Sequence, residues 1–316
     1  MRSTPKVSVL IPTYNSAPFL DEAIQSVLNQ SYPDFELIIV DNKSTDNTSE
    51  VIEKYLGDKR VSYYINQTNI GLVNNFNKCL TYAKGDYIKF LCSDDKFHPD
   101  LLSKFVQVLD AYPNVVLVTS NKEGFGTKSF TERPPVQYLQ PGKKVISQSI
   151  QDCNWIGEPT TVMFRRKNLQ VGNFNNEYKY FPDWDMWLRQ LTLGDCYIIP
   201  ETLSYFRLHP NQVTAINYQN LTNYFEEYQF YKNIKHKNEY NIDFSQVNID
   251  KLIKEKALAC AKVIIKVIPR LKKRSNWFLL NQAVNIAFSE GVILRLLSGV
   301  FSKRELAKVY KLAFAR

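Results

Sequence analysis

The sequence predicts an α/β protein: an open, mostly parallel sheet with helices on both faces, followed by an all-helical C-terminal extension. Over roughly the first 120 residues, short apolar, β-branched runs alternate with stretches of helical spacing. Polar residues cluster where those apolar runs stop. From about residue 216 onward the pattern turns helical and basic.

The runs "VSVLIP" and "FELIIVDN" are apolar at successive positions, as strands covered on both faces must be. Between them Leu20, Ala23, Ile24, Val27 and Leu28 recur at helical spacing, with Pro18 near the start and Pro33 just past the end. In "KSTDNTSEVIEKYL", Asn47 and Glu50 have the spacing of a capping box. The strand "VSYYIN", the helix "LVNNFNKCLTYA" and the strand "YIKFLC" come next. The helix "PDLLSKFVQVLDAY" follows, with Pro99 at its first position and His98 as its cap, and then the strand "VVLVTS". Such alternation requires right-handed crossovers, and ligands of these sheets bind beyond the carboxyl ends of the strands. Three such ends are legible: "PTYN" at 12–15, "DNKS" at 41–44 and "CSDD" at 92–95. Their polar residues are expected to converge on one crevice.

Residues 121–182 are less regular and include the loop "CNWIGEPT" before a strand "TVMFRR". "DWDMWLRQLTLG" reads as a short helix with Trp184, Trp187, Leu188 and Leu191 on one face and Gly194 as its stop. "CYIIPETLSYFRLHPN" is mostly extended and ends in a turn. The domains expected are 1–215, an α/β unit, and 216–316, a basic helical region.

An aromatic content of 13% with only 11 glycines excludes a disordered or low-complexity chain. The five cysteines, at 79, 92, 153, 196 and 260, form no CxxC pair and read as reduced thiols of a cytoplasmic protein. The first apolar run, "VSVLI", stops at Pro12, short of the roughly 7 to 15 residues of a signal-peptide core. The net charge of +9 is concentrated in the tail, where residues 251–316 carry 15 Lys and Arg against 3 acids. No window there reaches about 18 uninterrupted apolar residues. Its basic residues are interleaved with Trp277, Phe278, Leu279 and Ile293, a pattern that suits either a helical bundle with a charged face or helices lying on an anionic membrane. No helix-turn-helix, zinc or base-stacking motif supports a nucleic-acid partner.

The turn "PTYNSAP" contains no glycine, so it cannot cradle a pyrophosphate as GxGxxG does, and no GxxxxGK[ST] occurs. A diphosphate therefore needs another counter-charge. Asp94 and Asp95, adjacent at a strand's end, repel each other unless a cation joins them, and Mg²⁺ or Mn²⁺ prefers carboxylate oxygens while bridging to phosphate. The alternative, that they cap the next helix, puts Asp95 three residues too early if His98 is the cap.

The stretches "VSVLIPTYNSAPFLDEAIQSVLNQSYPDFELIIVDNKSTDNT", "NIGLVNNFNKCLTYAKGDYIKFLCSDDKFHPDLL", "DWDMWLRQ" and "YFRLHPNQVT" resemble the family 2 glycosyltransferases of GT-A (Rossmann-like) fold, over residues 6 to about 214. The resemblance implies a nucleotide pocket lined by Pro12, Tyr14 and Asn15, with Asp41 and Asn42 at the base. Asn42 stands where the family usually has a second aspartate, and it both donates and accepts hydrogen bonds. The resemblance further implies Asp94 on the ribose and Asp95 and His209 on the metal, with Cys92 where a further acid is common. Asp183 is the implied base, with Pro182 in place of the usual glutamate before it. Trp155 and Glu158 of "CNWIGEPT", and Trp184, are expected at the acceptor, although Trp184 and Trp187 also suit the core.

The activity implied is an inverting, Mn²⁺- or Mg²⁺-dependent transfer from a nucleotide-sugar donor, UDP-linked first, to a hydroxyl of a glycan or polyprenyl-linked acceptor. That reaction belongs to surface-polysaccharide synthesis on the cytoplasmic side, peripheral to the membrane. A sugar-phosphate nucleotidyltransferase would want a glycine-rich basic first loop, and a non-catalytic binding module would lack Asp95 or Asp183.

Overall fold

The computed structural model describes residues 4–268, 274–293 and 295–296. The chain opens with β1 (Val7–Thr13), α1 (Ala17–Leu28), β2 (Phe35–Asp41), α2 (Thr48–Glu53), β3 (Val61–Ile65), α3 (Leu72–Tyr82) and β4 (Tyr87–Phe90). It continues through β5 (Lys96–Phe97), α4 (Leu101–Ala111), β6 (Val115–Gly126), β7 (Phe130–Glu132), β8 (Tyr138–Gln140) and α5 (Gly142–Gln151). After a 3-10 turn at Pro159–Thr161 come β9 (Met163–Arg165), α6 (Pro182–Leu191) and β10 (Asp195–Leu208). Among the described residues four helices follow: α7 (Val213–Asn220), α8 (Thr222–Lys237), α9 (Ile249–Val267) and α10 (Arg274–Ser289).

The strands make one open sheet in the order β3-β2-β1-β4-β9-β6-β10-β5, with β7 on β6 and β8 on β10. Its first four strands are parallel, as is the β6–β10 pair, while β9 runs antiparallel between β4 and β6. In register, Val9 lies opposite Leu37 on one side and Lys89 on the other. The carboxyl ends of β1, β2 and β4 therefore open on the same edge. Helices are held by the faces the periodicity predicts: α1 buries Leu20, Ala23, Ile24 and Val27, and α4 buries Leu101, Leu102, Phe105, Val106 and Leu109. Each of the Leu, Ile, Val and Phe side chains contributes about 1.5–3 kcal/mol of burial.

Two helix starts differ from the sequence expectation. Asn47 is the N-cap of α2 but makes no side-chain capping bond; Asp46 takes the role, accepting from the Thr48 N–H at 3.1 Å and the Thr48 hydroxyl at 2.6 Å. A carboxylate at that end also answers the helix dipole, which a neutral asparagine does not. The other case is α4, which begins at Leu101 with Asp100 as its N-cap, so Pro99 precedes it and His98 is not the cap. His98 instead accepts the Asp100 N–H on Nδ1 at 3.2 Å. β6 runs well past "VVLVTS" because β10 keeps pairing with it as far as Leu208 opposite Gly126.

The chain divides into two compact units, Met1–Gln212 with Glu239–Ile242, and Val213–Asn238 with Asp243–Arg316. In the second, α8 buries Phe225, Tyr228, Phe230, Tyr231 and Ile234, and α9 buries Ile253, Ala257, Cys260, Ala261 and Val263. Glu290 ties its helices together, accepting from the Tyr228 hydroxyl at 2.6 Å and from Lys232 at 3.0 Å. Trp277, Phe278 and Phe288 are 57%, 71% and 66% exposed. Among the described residues no helix is long and apolar enough to cross a membrane. Residues 269–273, 294 and 297–316 of the basic tail lie outside the described residues.

Candidate active site

Three loops beyond the strand ends are stitched to one another by side chains. Asn15, at φ 51° in the left-handed region an asparagine tolerates, donates its backbone N–H to the Ser44 hydroxyl at 2.8 Å, and its side-chain Oδ1 accepts the Thr45 N–H at 2.8 Å. Ser16 meets Ser93 hydroxyl to hydroxyl at 2.7 Å. The Ala17 N–H, at the start of α1, donates to Asp46 Oδ2 at 3.1 Å. The loops after β1, β2 and β4 thus form a single rim. Tyr14 stands on it 46% exposed, while Pro12 is buried within β1.

Asp41 and Asn42 turn inward. Asp41 Oδ1 accepts from the Ser44 N–H and hydroxyl at 2.9 and 2.6 Å, and Oδ2 from the Tyr63 hydroxyl at 3.2 Å. Asn42, 3% exposed, has its amide fully engaged. Nδ2 donates to Asn69 Oδ1 at 2.8 Å and to the Gly71 carbonyl at 3.3 Å; Oδ1 accepts from Asn66 Nδ2 at 3.0 Å and the Ile70 N–H at 2.9 Å. The expectation that the Asn42 side chain addresses the base is therefore corrected: its donors and acceptor are spent on folding the 66–71 loop. A buried amide left half satisfied would cost about 1–3 kcal/mol, and the asparagines around it remove that penalty.

The carboxylate pair follows β4. Asp95 is 1% exposed, with Oδ2 accepting the Thr160 hydroxyl at 2.6 Å and Oδ1 the Arg207 N–H at 2.8 Å. Burial, then the charge of Asp94, pushes its carboxyl well above the usual range. Asp94 is more open, with Oδ2 3.0 Å from His209 Nε2, and its backbone carbonyl accepts Arg207 Nε at 2.7 Å. The His209 ring lies 4.6 Å from that of Phe19, which helps fix its orientation. Ligand atoms of Cys92, Asp94 and Asp95 all lie within 4.8 Å of one another. Burial and the charges of Asp95 and Asp94 hold the Cys92 thiol protonated, so it adds little. Two crowded carboxylates beside an imidazole fit a hard divalent cation, which would relieve the repulsion between them.

Asp183 occupies the second position of α6, behind the cap residue Phe181 and Pro182. Two influences compete there. Desolvation and the charge of Glu158 raise the carboxyl; the Trp184 N–H, donating to Oδ1 at 2.8 Å, and the Lys122 ammonium lower it. Burial prevails, and the group is pushed up to about 7. Asp185 serves the fold: it pairs with Arg189 at 2.7 Å and accepts the Tyr240 hydroxyl at 2.6 Å.

Glu158 caps the 3-10 turn, with Oε2 2.6 Å from Lys122 Nζ. Its charge acts on both Asp95 and Asp183. The two tryptophans expected beside it at the acceptor belong to the core instead: Trp155 is 5% and Trp184 1% exposed. An indole has too much apolar surface to stay in the open when the helix face carrying Trp187 packs inward. Thr160, Lys122 and Arg207 were not legible as site residues. Arg207 sat inside the recognised "FRLHPN" motif and was the one open to inference; a threonine and a lysine in an irregular segment offer no pattern.

Residues 8–172 match the family described as Glycosyl transferase family 2. The chain is similar to a GalNAc(5)-diNAcBac-PP-undecaprenol beta-1,3-glucosyltransferase of Campylobacter jejuni, 30% identical over 58% of this chain and 59% of that protein. It is also similar to an uncharacterized glycosyltransferase of Haemophilus influenzae, 28% identical over 68% of this chain and 69% of that one. The chain spans about two thirds of the length of the curated relatives it matches. Among solved structures, S. aureus TarS 1-349 in complex with UDP-GlcNAc superposes with a TM-score of 0.61 at 21% identity, covering 79% of this chain and 71% of that one. The mannosyltransferase PcManGT from Pyrobaculum calidifontis, in complex with GDP-Man and Mn²⁺, superposes at 0.57 and 16% identity, over 99% and 80%. These likenesses establish the GT-A fold expected from the sequence.

Of the described cysteines only Cys153 is exposed; Cys79, Cys196 and Cys260 are buried, and Cys92 is half-buried with a raised pKa. Thiol titration of the native protein at neutral pH is expected to label about one cysteine per chain quickly, Cys153. Rapid labelling of Cys92 in a peptide map would contradict the electrostatics assigned to the carboxylate pair.

Proposed function

We propose, from the premise that this chain belongs to glycosyl transferase family 2, that it moves a sugar from a nucleoside diphosphate donor to a hydroxyl of a glycan or lipid-linked acceptor with inversion at the anomeric carbon. The observation that carries this reading is the carboxylate pair after β4, with Asp95 held by the Thr160 hydroxyl at 2.6 Å and the Arg207 N–H at 2.8 Å and Asp94 3.0 Å from His209. The influence of the Glu158 charge on both Asp95 and Asp183 supports taking Asp183 into the same site. Tyr14 and Asn15 would meet the nucleotide at the rim, Pro12, Asp41 and Asn42 would shape the wall behind it, and Asp94 would meet the ribose. Asp95, Asp94 and His209 would hold Mn²⁺ or Mg²⁺, which supplies neutralisation of the departing diphosphate.

Asp183, ionised, takes the proton of the acceptor hydroxyl as that oxygen forms its bond to the anomeric carbon. The bond from that carbon to the diphosphate oxygen breaks on the opposite face, and the nucleoside diphosphate leaves with the electron pair. Glu158, whose charge acts on Asp183, would orient the acceptor hydroxyl. A base whose pKa lies near neutrality suits this task, since it is both ionised and basic enough to accept a proton.

A UDP-sugar is the first donor to test. The undecaprenol-linked substrate named for the Campylobacter relative supports a polyprenyl-linked acceptor. The exposed Trp277, Phe278 and Phe288 within a basic region support contact with an anionic membrane on its cytoplasmic side. Flotation on vesicles containing phosphatidylglycerol but not on pure phosphatidylcholine would be the outcome; equal behaviour on both would dismiss the contact.

The direct test is a panel of nucleotide sugars with Mn²⁺, scored by release of nucleoside diphosphate. At least one donor should be turned over, and Asp183→Asn should lower the rate about 10²- to 10⁴-fold with donor binding retained. A variant as active as the wild type would remove Asp183 from the mechanism.

The pH dependence has a defined sign. The base works ionised, so kcat/KM should fall below about pH 7 and level off above it. Because the charge of Glu158 raises Asp183, Glu158→Gln should move that acidic limb to lower pH as well as slow the reaction; an unmoved limb would assign the titration elsewhere.

A further inference from the structure

Lys89 sits in the middle of β4, opposite Val9 of β1 and Met163 of β9, and is 0% exposed. Its Nζ donates to the carbonyls of Pro159 at 3.3 Å, Val162 at 3.2 Å and Thr160, and lies over the rings of Phe97 and Phe105. Among the described residues no carboxylate pairs with it. Three carbonyls match the three N–H bonds of an ammonium, whereas a neutral amine has two. Burial works against the charged form and pulls its pKa well down, the three carbonyls oppose that pull, and its cross-strand partners Val9 and Met163 with the rings of Phe97 and Phe105 show that this site accepts apolar residues. The ammonium therefore has a task beyond packing.

That task is visible in what the turn carries. The Thr160 carbonyl, held by Lys89, also accepts the Ser204 hydroxyl at 3.0 Å. The Thr160 hydroxyl donates to Asp95 Oδ2 at 2.6 Å and accepts the Cys92 N–H at 3.1 Å. Glu158, whose charge acts on Asp183, caps the same turn. One residue thus separates the buried ammonium from the carboxylate pair.

We propose that Lys89 is a positioning residue: by fixing the 159–162 turn it holds the Asp95 carboxylate where a divalent cation can be bound. This rests on the reading above that Asp94 and Asp95 hold such a cation. The positive charge of Lys89 repels a bound cation but also favours the ionised form of Asp95, so its removal is read beside Thr160→Val, which leaves that charge in place and breaks only the contact that carries the positioning.

The experiment measures Mn²⁺ binding to the full chain in the presence of UDP, by the loss of the free Mn²⁺ resonance, together with thermal unfolding. Lys89→Met is expected to weaken Mn²⁺ about 10-fold or more while remaining folded, as for other groups that support metal ligands. Thr160→Val should reproduce the loss, and the double variant should be no weaker than the worse single one, since both cut the same chain of contacts. Wild-type or tighter Mn²⁺ binding in Lys89→Met overturns the inference and leaves the cation site intact. A wild-type protein that binds no Mn²⁺ overturns the cation reading itself and this inference with it. Should Lys89→Met not fold, Thr160→Val decides alone, and unchanged Mn²⁺ affinity in it overturns the inference.

Discussion

Two adjacent carboxylates at the end of β4, one of them almost wholly out of water, are the constraint to which the rest of the site answers. Burial and the charge of Asp94 both disfavour an ionised Asp95, and donors from several elements are turned toward the pair. Arg207 reaches both residues through backbone and side chain, His209 faces Asp94, and Thr160 donates to Asp95. These donors come from β10 and from the turn before β9, which explains why the second half of the sheet must close against the first. The 3-10 turn is the joint: it is fastened below by Lys89, supports Asp95 above, and begins with Glu158.

Asp183 shows a second contest between opposing influences. The start of α6 offers a backbone N–H and a favourable dipole, both of which hold a carboxylate ionised. Burial outweighs them and brings the group to about 7. A carboxylate fixed by its helix alone would be a weak base, and one buried without donors would stay protonated. The position between these limits is what gives the residue chemical use.

The parallel half of the sheet was legible because its strands are buried on both faces and its helices carry one apolar stripe, patterns that survive in sequence without knowledge of neighbours. The three strand-end loops were legible for the same reason, since topology alone sends them to one edge. Inferences that depended on where a single side chain points fared differently. Asn42 reads as a recognition residue until Asn66, Asn69 and Gly71, brought to it by α3 and β3, are seen to consume its amide. Trp155 and Trp184 read as ligand platforms in isolation but are claimed by the core. Asn47 lost its capping role to the charge next door at Asp46. Lys89 passed as one polar residue in an apolar strand, because the carbonyls that hold it lie some seventy positions away.

The central claim is that this carboxylate pair, with no glycine cradle to help, seats a divalent cation against a nucleoside diphosphate. A crystal structure with UDP and Mn²⁺, using the anomalous signal of manganese, tests it most directly. The account predicts one manganese peak within coordination distance of Asp95 or Asp94 and of diphosphate oxygens, with the nucleotide beside Tyr14. A diphosphate bound elsewhere, or bound here with no metal peak and both carboxylates turned away, would contradict it.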